Sequence, residues 1–144
     1  MASFARVSPA DPGLYGTPGE VDAEVAVVRA IYDAFSRRDV EGMVQYVSDD
    51  CVVDLPGTYE RAGRTEPYRG PEGVRAYFAD AARVWDDLSL EADDIRAASD
   101  GVVVFGHVEG LHQGEAVRRR IVWLWQLRQG KAVRVTANDL GDYA

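Results

Sequence analysis

Apolar residues recur along this chain with two different periods, and the change near residue 88 divides it into a helical part and a sheet part. Val21, Val25, Val28, Tyr32 and Phe35 fall at i, i+4, i+7, i+11 and i+14, a single stripe on a first helix that must face a core. Asp39 is placed to cap a second, shorter helix carrying Val40, Met43, Val44 and Val47, which Ser48-Asp49-Asp50 ends. CVVDL at 51–55 reads as a short strand, and PGTYERAGRTEPYRG at 56–70 as a turn-rich connection long enough to form a lid or rim. Gly70-Pro71-Glu72 then opens a third helix with Val74, Tyr77, Phe78, Ala81 and Trp85 on one face. Beyond residue 88 the apolar positions alternate, interrupted by hairpin signals at Ser99-Asp100-Gly101, His112-Gln113-Gly114-Glu115 and Gln129-Gly130-Lys131. These divide the remainder into strands at approximately 88–98, 102–111, 116–128 and 132–139, joined as a meander.

Helices first and an antiparallel meander afterwards predict an α+β fold, a curved sheet with three N-terminal helices on its concave face. Such a sheet encloses a pocket, and function is expected there. Residues 1–17, punctuated by Pro9, Pro12, Gly13 and Gly16, read as an irregular arm, and 18–144 as one domain. Thr17-Pro18-Gly19-Glu20 has the form of a capping box with proline at the first helical position. A chain of 144 residues can bury a core of its own without a metal or disulfide.

One stretch, VRRRIVWLWQL at 117–127, tests the pattern, because arginines beside tryptophans also suit a single-stranded nucleic acid. Strand alternation puts Arg119, Ile121, Trp123, Trp125 and Leu127 on one side and Arg118, Arg120, Val122, Leu124 and Gln126 on the other. The arginines therefore split between faces, and the centre is apolar on both. This predicts a strand buried on both faces, with its arginines at a solvated end. Since the helices cover only the concave side, the second face calls for a partner, and a homodimer through the sheet is expected.

The formal charge of -8, with a pI near 4.7, repels polyphosphates and anionic membrane surfaces, which argues against a nucleic acid or membrane partner. No apolar stretch has signal-peptide or membrane-span length, so a cytoplasmic location is expected. The single cysteine, Cys51, fits a reducing compartment and a packing role. No phosphate loop, nucleophile elbow or metal-ligand spacing occurs, and no cofactor is implied. His107 and His112 are five apart on one strand and face opposite sides, so they cannot share a metal; His107 is expected on the sheet surface or an interface.

The segments SRRDVEGMVQYVSDDCVVDLPG, YRGPEGVRAYF, WLWQL and GKAVRV, in that order, resemble the nuclear transport factor 2-like superfamily, which includes SnoaL-like polyketide cyclases and ketosteroid isomerases. The resemblance covers about residues 21–140 and implies a cone-shaped α+β fold. It does not imply one activity, because this fold hosts isomerases, cyclases, dehydratases, epoxide hydrolases and non-catalytic modules. Matching Asp49-Asp50 and Pro56 to the isomerases places their general base at Leu55, their oxyanion tyrosine at Ile31 and their protonated aspartate at Trp123. None of these side chains can do that chemistry, so isomerisation by the ketosteroid route is not expected.

The resemblance turns Trp123 into the cone, and its face partners Ile121, Trp125 and Leu127 with it. An aromatic wall suits a small hydrophobic ligand, unless the indoles fill the cone themselves. Val135 on the last strand and Phe78 on the third helix join this wall. Val133, Val135 and Ala137 share a face with Asp139, which would project at the pocket edge as a general base, its pKa raised by the apolar wall. Arg119 is placed to pair with Asp139 or to hold an anionic group on a substrate. Asp54 is a second candidate base and Tyr32 a candidate donor, although the helical stripe favours packing for Tyr32. Two functions follow: a cofactor-free cyclase, dehydratase or isomerase-type enzyme or binder of a hydrophobic molecule, and a non-catalytic dimerisation or docking module with a filled cone.

Overall fold

The computed structural model describes residues 18–142. The expected arm at 1–17 and the Thr17 cap lie outside them. The described residues form four helices and six strands in the order α1 (Pro18–Ser36), α2 (Val40–Val44), β1 (Val47–Asp54), α3 (Pro56–Tyr59), β2 (Tyr68–Arg69), α4 (Gly70–Val84), β3 (Asp87–Ala98), β4 (Gly101–His112), β5 (Glu115–Arg128) and β6 (Lys131–Asp142). The expected α+β class holds, with two additions. Proline at the start of the 56–70 connection nucleates the one-turn α3, making four helices rather than three, and Tyr68–Arg69 pairs with β1 as a short edge strand.

The strands form one curved, open sheet in the order β2-β1-β6-β5-β4-β3. From β3 to β6 it is the expected meander, and β1 then joins the far side of β6 in parallel. Two of the hairpins turn on Gln113-Gly114 and Gln129-Gly130, with both residues of each pair at positive φ. That is the mirror-image turn whose twist suits a two-residue hairpin.

The core lies between the concave face and the helices. On α1 the stripe residues Val28, Tyr32 and Phe35 are buried, with Ile31 and Ala34 beside them, and α1 packs on β3 and β4. On α4 Val74, Tyr77, Phe78 and Ala81 are buried, and Trp85 follows at its end. Asp39 caps α2 as expected, its Oδ1 accepting from the Gly42 N–H at 2.9 Å. Cys51 is buried, and burial together with the Asp50 charge pushes its thiol up to about 12, which fits a packing residue.

Strand β5 buries Ile121, Trp123 and Trp125, while on the opposite face, which no described helix covers, Leu124 is 40% exposed and Gln126 is exposed too in the single chain; this is the face expected to meet a partner. One expectation about the sheet needs correction. On β6 the register shifts opposite Gln126–Leu127, so Ala132 takes the core position and Val133 does not. An irregularity of this kind turns a side chain off its face, which strict alternation cannot foresee.

Candidate active site

The site is assembled where β5 and β6 meet the α3 connection. Strand pairing sets Ile121 opposite Asp139 and Trp123 opposite Ala137, all on the concave face. From the other side, Leu55 at the end of β1 leads into Pro56, Gly57 and Thr58 of α3, while α4 contributes Tyr77 and its C-cap, Trp85. Leu88, Leu90 and Val108 complete an apolar chamber of about 120 Å³. Next to it lies a wider vestibule of about 380 Å³ that contains Arg61, Ala116, Val117 and Arg119. Gly57, Trp85, Val108, Ile121 and Asp139 line both, so the chamber continues into the vestibule at Asp139.

Trp85 sets the shape of this end. Its Nε1–H donates to Thr58 Oγ1 at 3.1 Å, and the Thr58 hydroxyl in turn hydrogen-bonds the Tyr77 phenol. Burial pushes that phenol up to about 12 against the opposing influence of Thr58 and Arg38, so Tyr77 is a neutral group on the chamber wall. The indole can pack this close to β4 because position 110 is glycine: a Cβ there would stand 2.7 Å from the Trp85 ring. Above the ring, the Arg61 guanidinium stacks at 4.7 Å from its centroid and donates to the Gly57 carbonyl at 2.7 Å.

Asp139 sits at the junction in an arginine clamp. Arg119 Nε donates to Oδ1 at 3.0 Å and Oδ2 at 2.9 Å, and the Gly141 N–H donates to Oδ1 at 2.8 Å. Burial alone would raise this carboxyl. The bonds from Arg119 and Gly141 and the charges of Arg119 and Arg61 outweigh it and hold the pKa below the ordinary value, the reverse of the expected upward shift. The apolar wall is there, but it lies on one side only.

The remaining candidates are spread more widely. Tyr32 is buried at the other end of the concave face, where it accepts the Trp125 Nε1–H at 3.1 Å and meets Trp123 and Trp125 edge-on at 5.4 and 5.8 Å. Burial raises its phenol well above the usual value, so it is a packing residue, away from the chamber. Trp125 and Val135 are buried in the same region and do not line the chamber, whereas Trp123 reaches both. Phe78 faces a separate hollow of about 340 Å³ with Phe35, Arg38 and Leu88. Asp54 accepts from the Tyr59 hydroxyl at 3.3 Å and lies outside the chamber, because it is Leu55, the next residue, that faces inward. Thus two positions matched to isomerase catalytic groups, Leu55 and Trp123, do face the cavity with apolar side chains, while Ile31 is buried in the core.

Sequence reasoning did not single out Leu55, Thr58, Arg61 or Tyr77 as cavity residues, nor Trp85. Tyr77 and Trp85 lie on the core stripe expected of the third helix and are buried as well as lining the chamber. The signal available for the others was Leu-Pro-Gly-Thr at a strand end, which starts a short helix across the sheet. Among the described residues no group of three or more His, Cys, Asp or Glu is placed to hold a metal, and no helix is long and apolar enough to cross a membrane.

Residues 28–135 match the SnoaL-like domain, and the chain belongs to that family. A curated relative, an uncharacterized protein of Mycobacterium bovis, is 26% identical over 117 residues, covering 80% of this chain and 87% of the relative. A nuclear transport factor 2-like protein of unknown function from Burkholderia pseudomallei superposes with a TM-score of 0.72 at 22% identity, covering 81% of this chain and 90% of that one. The structure of TerC co-crystallized with polyporic acid also gives a TM-score of 0.72, at 25% identity and 81% and 91% coverage. The fold is therefore the nuclear transport factor 2-like cone, a framework shared with cyclase- and isomerase-type proteins.

Proposed function

We propose that this protein binds a small hydrophobic molecule in the cone and performs cofactor-free proton transfer on it, of the kind a cyclase, dehydratase or isomerase-type reaction requires. The observation that carries this reading is the position of Asp139, the one carboxylate lining both the apolar chamber and the vestibule. A ligand seated in the chamber places its edge at that carboxylate. Because Arg119 keeps Asp139 ionised, it suits a substrate whose C–H or O–H is itself acidic, so that the proton moves to a carboxylate of ordinary or low basicity. Tyr77, neutral and on the wall, is the available hydroxyl in place of Tyr32. The co-crystallization of TerC, of the same fold, with polyporic acid supports a protein that takes a small organic molecule.

A titration of tryptophan fluorescence with steroid-like, polycyclic and monoterpene-sized ligands tests the reading, because Trp85 and Trp123 border the chamber. Saturable quenching at micromolar ligand is expected, followed by turnover that Asp139→Asn abolishes without abolishing quenching. A panel that leaves the emission unchanged would overturn it. That result would favour the second reading, a dimerisation or docking module, which draws its support from the small volume of the chamber. Either reading is proposed to work as a homodimer through the uncovered sheet face, where Phe105, Leu124 and Leu140 are exposed. A monomer at micromolar concentration in sedimentation equilibrium would sink the dimer.

A further inference from the structure

Strand β6 does not pass through the site regularly. Arg120 pairs with Gly141 and Ile121 with Asp139, which leaves Leu140 as an extra residue, a β-bulge directly after the candidate base. Burial does not hold the bulge, because Leu140 is 63% exposed. What holds it is Gly141, whose φ of +106° lies in the left-handed region open to glycine, and whose N–H donates to Asp139 Oδ1 at 2.8 Å. In an extended strand each residue advances by about 3.4 Å, so the N–H two positions on lies beyond a short side chain's reach. The bulge folds it back onto the carboxylate.

The two carboxylate oxygens are not equivalent. Arg119 reaches them with the single hydrogen of its Nε, divided between Oδ1 at 3.0 Å and Oδ2 at 2.9 Å. Oδ1 therefore accepts two bonds, one of them from the main chain, while Oδ2 accepts a share of one. Each oxygen has two lone pairs, so Oδ2 keeps one for a new proton. A donor built into the sheet also holds its acceptor more firmly than a guanidinium on a long side chain, and proton transfer depends on placement to a fraction of an ångström. Resting on the proposal that Asp139 is the base, we infer that Gly141 and the bulge position it: the main-chain N–H holds Oδ1, and Oδ2 takes the substrate proton. The C–H or O–H bond breaks, its electron pair stays on the substrate as an enolate or oxyanion, and the proton bonds to Oδ2. Gly141 is a positioning residue, acting through Asp139 and needing no contact with the ligand.

The test is a pH titration of the Asp139 carboxyl carbon by NMR, with its resonance assigned through Asp139→Asn, in the wild type, in Gly141→Ala and in a chain lacking Leu140. An alanine Cβ at 141 would meet no atom within 4 Å, so that variant strains only the backbone. Deleting Leu140 removes the bulge by another route, and the Trp125 indole N–H, bonded to Tyr32 at the far end of the concave face, reports that each variant is folded. Arg119 and Arg61, whose charges also act on Asp139, are present in both. Loss of the main-chain bond is expected to raise the proton affinity of the carboxylate about threefold or more in each. A glycine that only eased the turn would change the melting temperature and leave the midpoint in place, so an unmoved midpoint in both variants would overturn the inference. On any ligand of the panel that is turned over, Gly141→Ala should lower kcat about tenfold or more with KM nearly unchanged. A moved midpoint in a protein whose fluorescence answers to no ligand of the panel would keep the positioning of the carboxylate and overturn the proton transfer it serves.

Discussion

The two ends of the concave face are built from similar residues and come out differently. At the closed end, Trp125 donates its indole N–H to Tyr32 of α1, Trp123 packs edge-on against the same phenol, and the space is filled. At the open end, Trp85 donates to Thr58 of α3, and a chamber remains between the indole and the sheet. The difference lies in the cover. A helix of 19 residues lays a continuous stripe of side chains on the sheet, whereas a helix of four residues followed by a long connection spans the gap without filling it. Both ends satisfy the same polar group of the same residue type, so hydrogen bonding is not what separates core from cavity. The length of the covering element is.

Truncating the closed end should have the largest effect. Trp125→Ala removes a fully enclosed indole and strands the Tyr32 hydroxyl, and a loss of about 3–5 kcal/mol is expected in urea denaturation. A loss below about 1 kcal/mol would mean the two ends are equally loose, and the comparison would fail. Next comes the tether of the open end. Asp80 on α4 is 5% exposed and accepts from Arg64 and from the Tyr68 hydroxyl at 2.8 Å, with Arg83 at 3.5 Å. It pins the connection that carries Arg61. Asp80→Asn should cost about 1–3 kcal/mol and leave Trp125 in its native environment, as its fluorescence would report.

The same carboxylate gives a pH signature. Burial raises the Asp80 pKa, but the bonds from Arg64 and Tyr68 outweigh it, and the folded value lies below the ordinary one of about 3.9. A group depressed in the folded state contributes stability that is present above its unfolded pKa and is lost as pH falls through the folded value. Stability should therefore hold down to about pH 4 and decline below it, with a shallower decline in Asp80→Asn. An unchanged slope in that variant would place the acid sensitivity elsewhere. Asp139 is shifted in the same direction, but its side chain is 48% exposed and its ion pair is screened. Asp139→Asn should thus change stability by less than about 1 kcal/mol while removing turnover. A larger loss would make it part of the framework.

These contrasts also mark what could be seen beforehand. The switch from helical to alternating periodicity and the three hairpin signals locate most of the architecture, because both are local. Alternation along β5 and β6 likewise puts Asp139 beside Ile121 and Trp123, and the pairing shows them together. Where a residue's neighbours come from distant segments, local pattern stops helping. Tyr32 and Trp125 look like pocket residues until the indole and phenol are found bonded to each other. Asp54 and Leu55 differ by one position, and only the pairing of β1 with β6 decides which of them turns inward. The downward shift of Asp139 comes mainly from the bonds of Arg119 and the Gly141 N–H, and the smaller contribution of Arg61 comes from a residue 78 positions away in a turn-rich connection whose path over Trp85 no periodicity describes.

The parallel pairing of β1 with β6 has a consequence for how the protein is made. During synthesis the meander from β3 to β5 can form from contacts close in sequence, but β1 must wait about eighty residues for its partner, a long loop to close and a slow one. Until β6 emerges from the ribosome, β1 and β5 each present an unpaired edge, and β5 carries Trp123 and Trp125. The last strand to be translated delivers both the missing neighbour and Asp139 in one step. A nascent chain arrested before residue 131 is accordingly the species most in need of a chaperone, and it has no site to protect.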